Sequence, residues 1–170
     1  MSKRADELVA KFEQLNSELI GFVSGLTDEQ LKARTGDDGG ATVGDVLAHL
    51  GEGAPEVLAW LTTATDTPAP RHEHHHGHSH SHGHTHHHGN GRQDIVQRLN
   101  DSLETVVGVL RTLSDEQLGC KPPAAPGITD GSKELGAVID LMIGHQANHL
   151  AHIRQAVELQ QADTAGEASL

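Results

Sequence analysis

The apolar residues of this chain recur at intervals of three and four, and this spacing limits the fold more than any other feature. Such intervals place side chains along one face of an α-helix. We therefore predict a helix over residues 5–25 that buries one face against neighbouring helices. Its apolar positions are Leu8, Phe12, Leu15, Leu19, Phe22 and Leu26.

Three further segments, residues 43–61, 95–113 and 135–159, show the same spacing. The chain has two phenylalanines, one tryptophan and no tyrosine, so its core must be aliphatic, which suits helix-on-helix packing. We predict an all-α four-helix bundle in one domain spanning residues 1–170. The polar C-terminal residues 160–170 are expected to fray.

A six-residue motif occurs twice, as LTDEQL at residues 26–31 and as LSDEQL at residues 113–118. In both copies a Thr or Ser is followed three residues later by Gln, which is the signature of a capping box at a helix start. Each copy follows one long predicted helix and precedes another. The sequence therefore predicts the order helix, break, helix, loop, helix, break, helix.

Histidine dominates one internal stretch, residues 71–91, which reads RHEHHHGHSHSHGHTHHHGNG. We predict a disordered loop over residues 68–92, because a stretch without apolar residues has nothing to bury. Clustered imidazoles chelate zinc, nickel, copper or cobalt, which favours metal buffering or delivery over an affinity tag, since tags are normally terminal and uninterrupted. The candidate ligands are His72, His74, His75, His76, His78, His80, His82, His84, His86, His87 and His88.

The charge balance is acidic, with a formal net charge of −12 at pH 7. A chain of this charge lacks the basic surface that nucleic acids and anionic lipids require, so neither is an expected partner. No run of about 18 apolar residues is present to cross a membrane. The absence of a secretion signal and the single cysteine, Cys120, predict a cytoplasmic protein without an internal disulfide.

The fourth apolar stripe carries histidine at three consecutive positions, His145, His149 and His152. Because the flanking stripe positions are apolar, we expect the rings to enter the interior, with Leu141 and Met142 also facing inward. Burying an unpaired polar ring costs about 1–3 kcal/mol. A divalent metal ion removes this cost by binding neutral imidazoles.

His49, in the middle of the second long helix, is the candidate third ligand. Three protein ligands leave a coordination position open, as in catalytic zinc sites. His152 is either a fourth ligand, a pocket wall or a partly exposed residue. Glu52 is either a ligand, a partner of a ligating ring, a general base or a solvated carboxylate. Zinc and nickel are the expected ions, although iron and manganese also accept imidazole.

Two segments, TVGDVLAHLGEGAPEVLAWL at 42–61 and LMIGHQANHLAHIRQA at 141–156, resemble the signature segments of the DinB/YfiT-like metalloenzyme superfamily. The resemblance implies an up-down-down-up bundle, often homodimeric, with the metal held by His49, His145 and His149. Relatives often carry Gln at the position of His152, and the histidine-rich insertion is not part of the family pattern. Characterised relatives include S-transferases and isomerases that use mycothiol, bacillithiol or glutathione, and many members have no known reaction.

These observations predict a metal-dependent enzyme, either a thiol-dependent S-transferase or a hydrolase, whose partners are a metal ion and a small thiol or other small substrate. In the first case the metal lowers the pKa of a bound thiol. In the second it activates water. Two alternatives are a non-enzymatic protein that buffers or delivers zinc or nickel through the histidine-rich loop, and an interaction module whose metal is structural.

Overall fold

A computed structural model describes residues 2–36, 40–65 and 91–167 of the chain. Within these ranges the chain forms six α-helices and no β-strand, which confirms the all-α prediction. No helix in the described ranges combines the length and apolarity needed to cross a bilayer. The helices are α1 Lys3–Ser24, α2 Asp28–Leu31, α3 Val43–Ala64, α4 Arg92–Leu110, α5 Asp115–Leu118 and α6 Leu135–Glu167.

The predicted loop at 68–92 falls almost wholly outside the described residues. Its last two residues belong to the next helix instead, because Gly91 is the N-cap of α4 and Arg92 is its first residue.

Both copies of the repeated motif form the capping box that the sequence predicts. The side chains of Thr27 and Ser114 each accept a hydrogen bond from a backbone N–H three residues later. The Gln30 and Gln117 side chains in turn accept a hydrogen bond from the backbone N–H of Thr27 and Ser114. Thr42 forms the same arrangement with Asp45 at the start of α3. These caps satisfy backbone N–H groups that a helix start leaves without partners.

We expect Thr42→Ala to lower the free energy of unfolding by about 1 kcal/mol, because the hydroxyl that accepts from the Asp45 N–H at 3.1 Å is lost. Urea denaturation followed by circular dichroism measures this change. Thr63→Ala is the matched control, since the exposed Thr63 hydroxyl only bonds to the Ala59 carbonyl within the same helix. Equal effects of the two substitutions would contradict a capping role.

Ion pairs show the direction of α6 relative to α1. Arg4 pairs with Glu134 at 2.8 Å, and Lys11 pairs with Asp140 at 2.6 Å. The later residue of α1 pairs with the later residue of the α6 segment, so α1 and α6 run in the same direction.

The contacts of α4 with the first part of the chain run in the opposite order. Arg92, at the start of α4, donates to the Leu26 carbonyl at 3.1 Å, and Arg111 contacts Glu13 at 3.4 Å. Since one number rises as the other falls, α4 is antiparallel to α1.

Helix α3 packs against α4 and α6, the same two helices that flank α1. The Gln146 side chain donates to the Leu50 carbonyl at 3.3 Å, whereas the later residue Val57 shares a cavity with the earlier residues Val138 and Met142. Therefore α3 is antiparallel to α6, and the four long helices run up, down, down and up. The end of α3 and the start of α4 consequently lie at opposite ends of the bundle.

All four long helices contribute to one aliphatic core, as the composition predicts. Phe12 is its buried aromatic residue in the described ranges. The largest completely enclosed aliphatic side chains come from every long helix and from α5: Val23, Leu47, Leu58, Leu61, Ile95, Leu99, Leu110, Leu118, Leu135, Ile139 and Ile153.

Helix α6 buries a different face from the one that the sequence predicts. The expected inward position of Leu141 is wrong, because its side chain is 55% exposed, and Met142 is half-buried. Two apolar stripes lie side by side on this helix, and the one with more large aliphatic residues faces the core. Its buried members are Leu135, Val138, Ile139, Ile143, Gln146, Leu150, Ile153 and Val157.

The end of α6 also differs from expectation. The sequence predicts fraying from residue 160, but the helix continues to Glu167. At the start of this stretch the Gln160 side-chain amide donates to the Glu29 carbonyl at 3.2 Å. Residues 161–166, which follow it, are all exposed.

Candidate metal centre

The site is built on a pair of imidazoles one helical turn apart on α6. His145 and His149 are four residues apart, so they project from the same side of the helix. Their Nε2 atoms lie 2.9 Å from each other. The ring centroids are 4.5 Å apart and the ring planes meet at 85°. The two nitrogens are therefore within hydrogen-bond distance of each other, and the tautomers decide which ring donates.

This separation fits two ligands of one metal ion. Zinc binds histidine nitrogen at about 2.0–2.1 Å, so two nitrogens on one ion lie about 2.9 Å apart at a right angle and about 3.3 Å apart in a tetrahedron. The Nε2 atoms of His145 and His149 already stand at the lower of these distances. The donor set is neutral imidazole, which suits zinc, nickel and other borderline cations.

His49 lies on the exposed side of α3, one residue before the Leu50 carbonyl that Gln146 contacts. Its ring leans along its own helix towards Gly53, where an added Cβ would be 4.0 Å from both Cε1 and Nε2. Within the described residues no group of three or more His, Cys, Asp or Glu side chains is gathered closely enough to hold a metal ion. The structure thus brings together two of the three predicted ligands, and the role of His49 stays a prediction.

The expected burial of the rings in the aliphatic interior is wrong. His49, His145 and His152 are exposed, and His149 is half-buried. For the three histidines of α6 the reason is the rotation described above, which places their stripe at the edge of the buried face, whereas His49 lies on the exposed side of α3. A metal ion bound to the pair would therefore lie at the surface, in contact with solvent and accessible to an exchangeable ligand.

Glu52 lies on α3 three residues after His49, but its carboxylate is turned to a different neighbour. It accepts a hydrogen bond from Arg98 of α4 at 2.7 Å. Helices α4 and α6 pack on α3 without being close neighbours of each other, so this contact directs Glu52 away from the His145–His149 pair. A role for Glu52 as general base remains a prediction, and the observed contact is a surface salt bridge.

His152 faces a cleft of about 590 Å³ beyond the C-terminal side of the pair. Residues 33–36, which follow α2, form the opposite wall. That wall is tied down, because the Thr35 hydroxyl donates to the Ala41 carbonyl at 3.0 Å and the Val43 N–H donates to the Ala33 carbonyl at 2.8 Å. His152 therefore lines this cleft and is exposed, and a role for it as a fourth ligand stays a prediction.

His145 lines a second, apolar cavity of about 270 Å³ on the N-terminal side of the pair. Sequence reasoning missed its other walls, because they come from α3 and from the segment before α6 as well as from α6. A neighbouring depression of about 440 Å³ shares part of this wall. At its rim the Ser132 hydroxyl and N–H donate to Asp130 at 2.5 and 2.9 Å, and these bonds lower the pKa of that carboxyl.

Gln146 is a further residue that sequence reasoning missed. Its side chain is 5% exposed, and its bond to the Leu50 carbonyl ties α6 to α3 between the positions of the candidate ligands. A polar residue within the stripe of Ile139, Ile143 and Leu150 was the available signal. The eleven candidate ligands between residues 72 and 88 lie outside the described residues.

The fold and the imidazole pair define a class of protein: an up-down-down-up four-helix bundle with a candidate metal site on the surface of its last helix. A family model described as the DinB superfamily matches residues 11–153. This match covers most of the chain, so the protein belongs to the DinB superfamily, and the resemblance of the two signature segments is confirmed. No curated protein matches the chain.

Proposed function

We propose that this protein binds one divalent metal ion through His145 and His149, with His49 as the third ligand, and that it is a metal-dependent enzyme. The observation that carries the proposal is the 2.9 Å separation of the two Nε2 atoms. Helical spacing alone places residues four apart on one side, whereas this distance also requires a specific orientation of the two rings. A hydrogen bond joins the rings at this distance, and one metal ion could replace it without moving them far.

When bound, the metal ion would supply Lewis acidity that lowers the pKa of a thiol or a water molecule. The residues of the chain hold and orient this centre. His145 and His149 are fixed by the helix, and the Gln146 bond to the Leu50 carbonyl fixes α3 beside them. Three protein ligands would leave a position for substrate, which suits thiol-dependent S-transfer or hydrolysis. Zinc and nickel are the proposed ions, and a cytoplasmic, homodimeric protein stays a prediction.

A second candidate function is metal handling without catalysis. It rests on the eleven histidines among the 17 residues from 72 to 88, a density of imidazole that the bundle site does not require. In this case the histidine-rich segment binds several zinc or nickel ions, and the bundle site is a storage or transfer position.

Metal titration of two full-length proteins tests these alternatives. One is the natural chain, and the other carries asparagine in place of all eleven histidines of residues 72–88. Calorimetry with Zn²⁺ and Ni²⁺ should show one tight site in both proteins and additional weaker sites only in the natural chain. Loss of all binding in the asparagine variant would reject the bundle site and leave metal handling by the segment.

Activity assays complete this test. The asparagine variant, loaded with one equivalent of metal, is mixed with a small thiol and a chromogenic electrophile, and separately with a chromogenic ester. We expect one of the two reactions to exceed the rate of the metal-free protein. If the metal-loaded protein reacts no faster than the metal-free protein in both assays, the protein is neither a thiol-dependent transferase nor a hydrolase for these substrates.

A further inference from the structure

The apolar cavity beside His145 has walls from three parts of the chain. Val57 comes from α3, Gly127 and Ile128 come from the segment before α6, and α6 supplies the remaining wall. The cavity measures about 270 Å³. The α6 residues that line it are Val138, Leu141, Met142 and His145.

Backbone hydrogen bonds hold the wall before α6 in place. The Ala125 N–H donates to the Thr129 carbonyl at 2.7 Å, and the Ile128 N–H donates to the Ala125 carbonyl at 3.1 Å. Between them Gly127 adopts a φ of 78°, which favours glycine, and an added Cβ there would have no heavy atom within 4 Å. The turn therefore presents Ile128 and leaves open space beside it.

Among the described residues that line this cavity, His145 is the one whose side chain carries nitrogen or oxygen atoms. An apolar pocket with one convergent polar group is the usual form of a small-molecule site, where the polar group orients the ligand. Leu141 also lines the cavity and is 55% exposed, so part of the apolar wall is open to solvent. Filling the cavity with an apolar group would cover this surface, which is favourable by about 25 cal/mol per Å².

The size of the cavity limits what it holds. An apolar cavity of about 150 Å³ accepts benzene. A cavity of about 270 Å³ therefore has room for a substituted aromatic ring or a branched alkyl group.

We propose that this cavity binds the apolar group of the substrate, and that the substrate carries a small aromatic or branched alkyl group next to the atom that meets the His145–His149 pair. This inference rests on the proposed function, because it assigns the substrate class of the same centre. The cleft at His152 differs in character, since Arg34 and Asp163 line it.

Toluene binding to the metal-free protein tests the cavity without using the metal. Titration of the ¹⁵N-labelled full-length chain, followed by two-dimensional NMR, should shift the amide signals of Gly127, Ile128 and Met142. Val57→Phe fills the cavity and should weaken binding by at least about tenfold, or about 1.4 kcal/mol. Val109→Phe is the matched control, because Val109 is also a half-buried helical valine packed on the core, but does not line the cavity.

Binding that is equally strong in the wild type and in Val57→Phe would overturn the assignment of the cavity. Shifts that map to another surface, or no binding by a folded wild-type protein, would do the same. Circular dichroism checks that both valine variants fold.

A second measurement separates this inference from the proposed function. Co²⁺ is bound to the protein in which asparagine replaces the eleven histidines of residues 72–88, and ethanethiol and phenylmethanethiol are compared by visible absorption. We expect phenylmethanethiol to bind at least about tenfold more tightly, and Val57→Phe to abolish this preference. Spectra that change equally with both thiols would reject the cavity, whereas spectra that change with neither would reject the thiol-binding metal centre.

Discussion

Replacing His145 with alanine is expected to lower the affinity for the bundle metal by about 100-fold or more. Loss of a residue that only supports a ligand costs about 10–100-fold, so loss of a ligand should cost at least the upper value. The measurement is metal content after dialysis, in the protein that carries asparagine at the eleven histidines of residues 72–88. His149→Ala should have the same effect, because the two Nε2 atoms are 2.9 Å apart and would bind the same ion.

His152→Ala is the matched control, since it removes a third imidazole from α6 that lines the neighbouring cleft. We expect its metal affinity to stay within about threefold of the parent, a change below about 1 kcal/mol. A loss as large as that of His145→Ala would make His152 a ligand. Retention of a full equivalent of metal by both His145→Ala and His149→Ala would refute the proposed centre.

His49→Ala tests the third predicted ligand, which the structure does not bring together with His145 and His149. If the His49 ring turns from Gly53 towards α6 when metal binds, this substitution should weaken metal binding about as much as His145→Ala. An unchanged affinity would reduce the centre to the two histidines of α6 and remove His49 from it.

Two leucines of α6 should differ sharply in their contribution to stability. Leu150 is 3% exposed, whereas Leu141 is 55% exposed. We expect Leu150→Ala to lower the free energy of unfolding by about 2–5 kcal/mol, because it loses buried apolar surface and leaves a cavity in the core. Leu141→Ala should lower it by less than about 1 kcal/mol.

Urea denaturation of both variants measures this difference, and the same substitution in the same helix makes them a matched pair. Equal losses of stability, or a larger loss for Leu141→Ala, would mean that α6 buries the histidine stripe after all. The result therefore also decides whether the imidazole pair lies at the surface.

The positions of the long helices followed from the sequence because their signals are local. Intervals of three and four in the apolar residues, together with the Thr and Ser caps, depend on neighbours within one or two turns. The repeated DEQL motif formed two capped helical turns as predicted. The i, i+4 pairing of His145 and His149 is local in the same way, and it is the part of the candidate site that the structure reproduces most directly.

The rotation of α6 did not follow from local spacing. Ile139, Ile143 and Leu150 form a stripe beside that of Met142, His145 and His149, and both have helical periodicity. Which one faces inward depends on how much apolar surface the other three long helices cover together. The contact of Gln160 with the Glu29 carbonyl, 131 positions earlier in the chain, is likewise one that local spacing does not predict.

By itself the sequence determined that this chain is an all-α bundle of four long helices with capped breaks, and that two imidazoles share one side of the last helix. The tertiary structure decided which face of that helix is buried, that Glu52 pairs with Arg98, and that α3, α6 and the turn at Gly127 line a partly open apolar cavity beside His145. The physical reason is the separation along the chain of the residues involved. Hydrogen bonds and periodicity within a helix depend on residues a few positions apart. Burial and cavities depend on surfaces from distant segments that meet only in the folded protein.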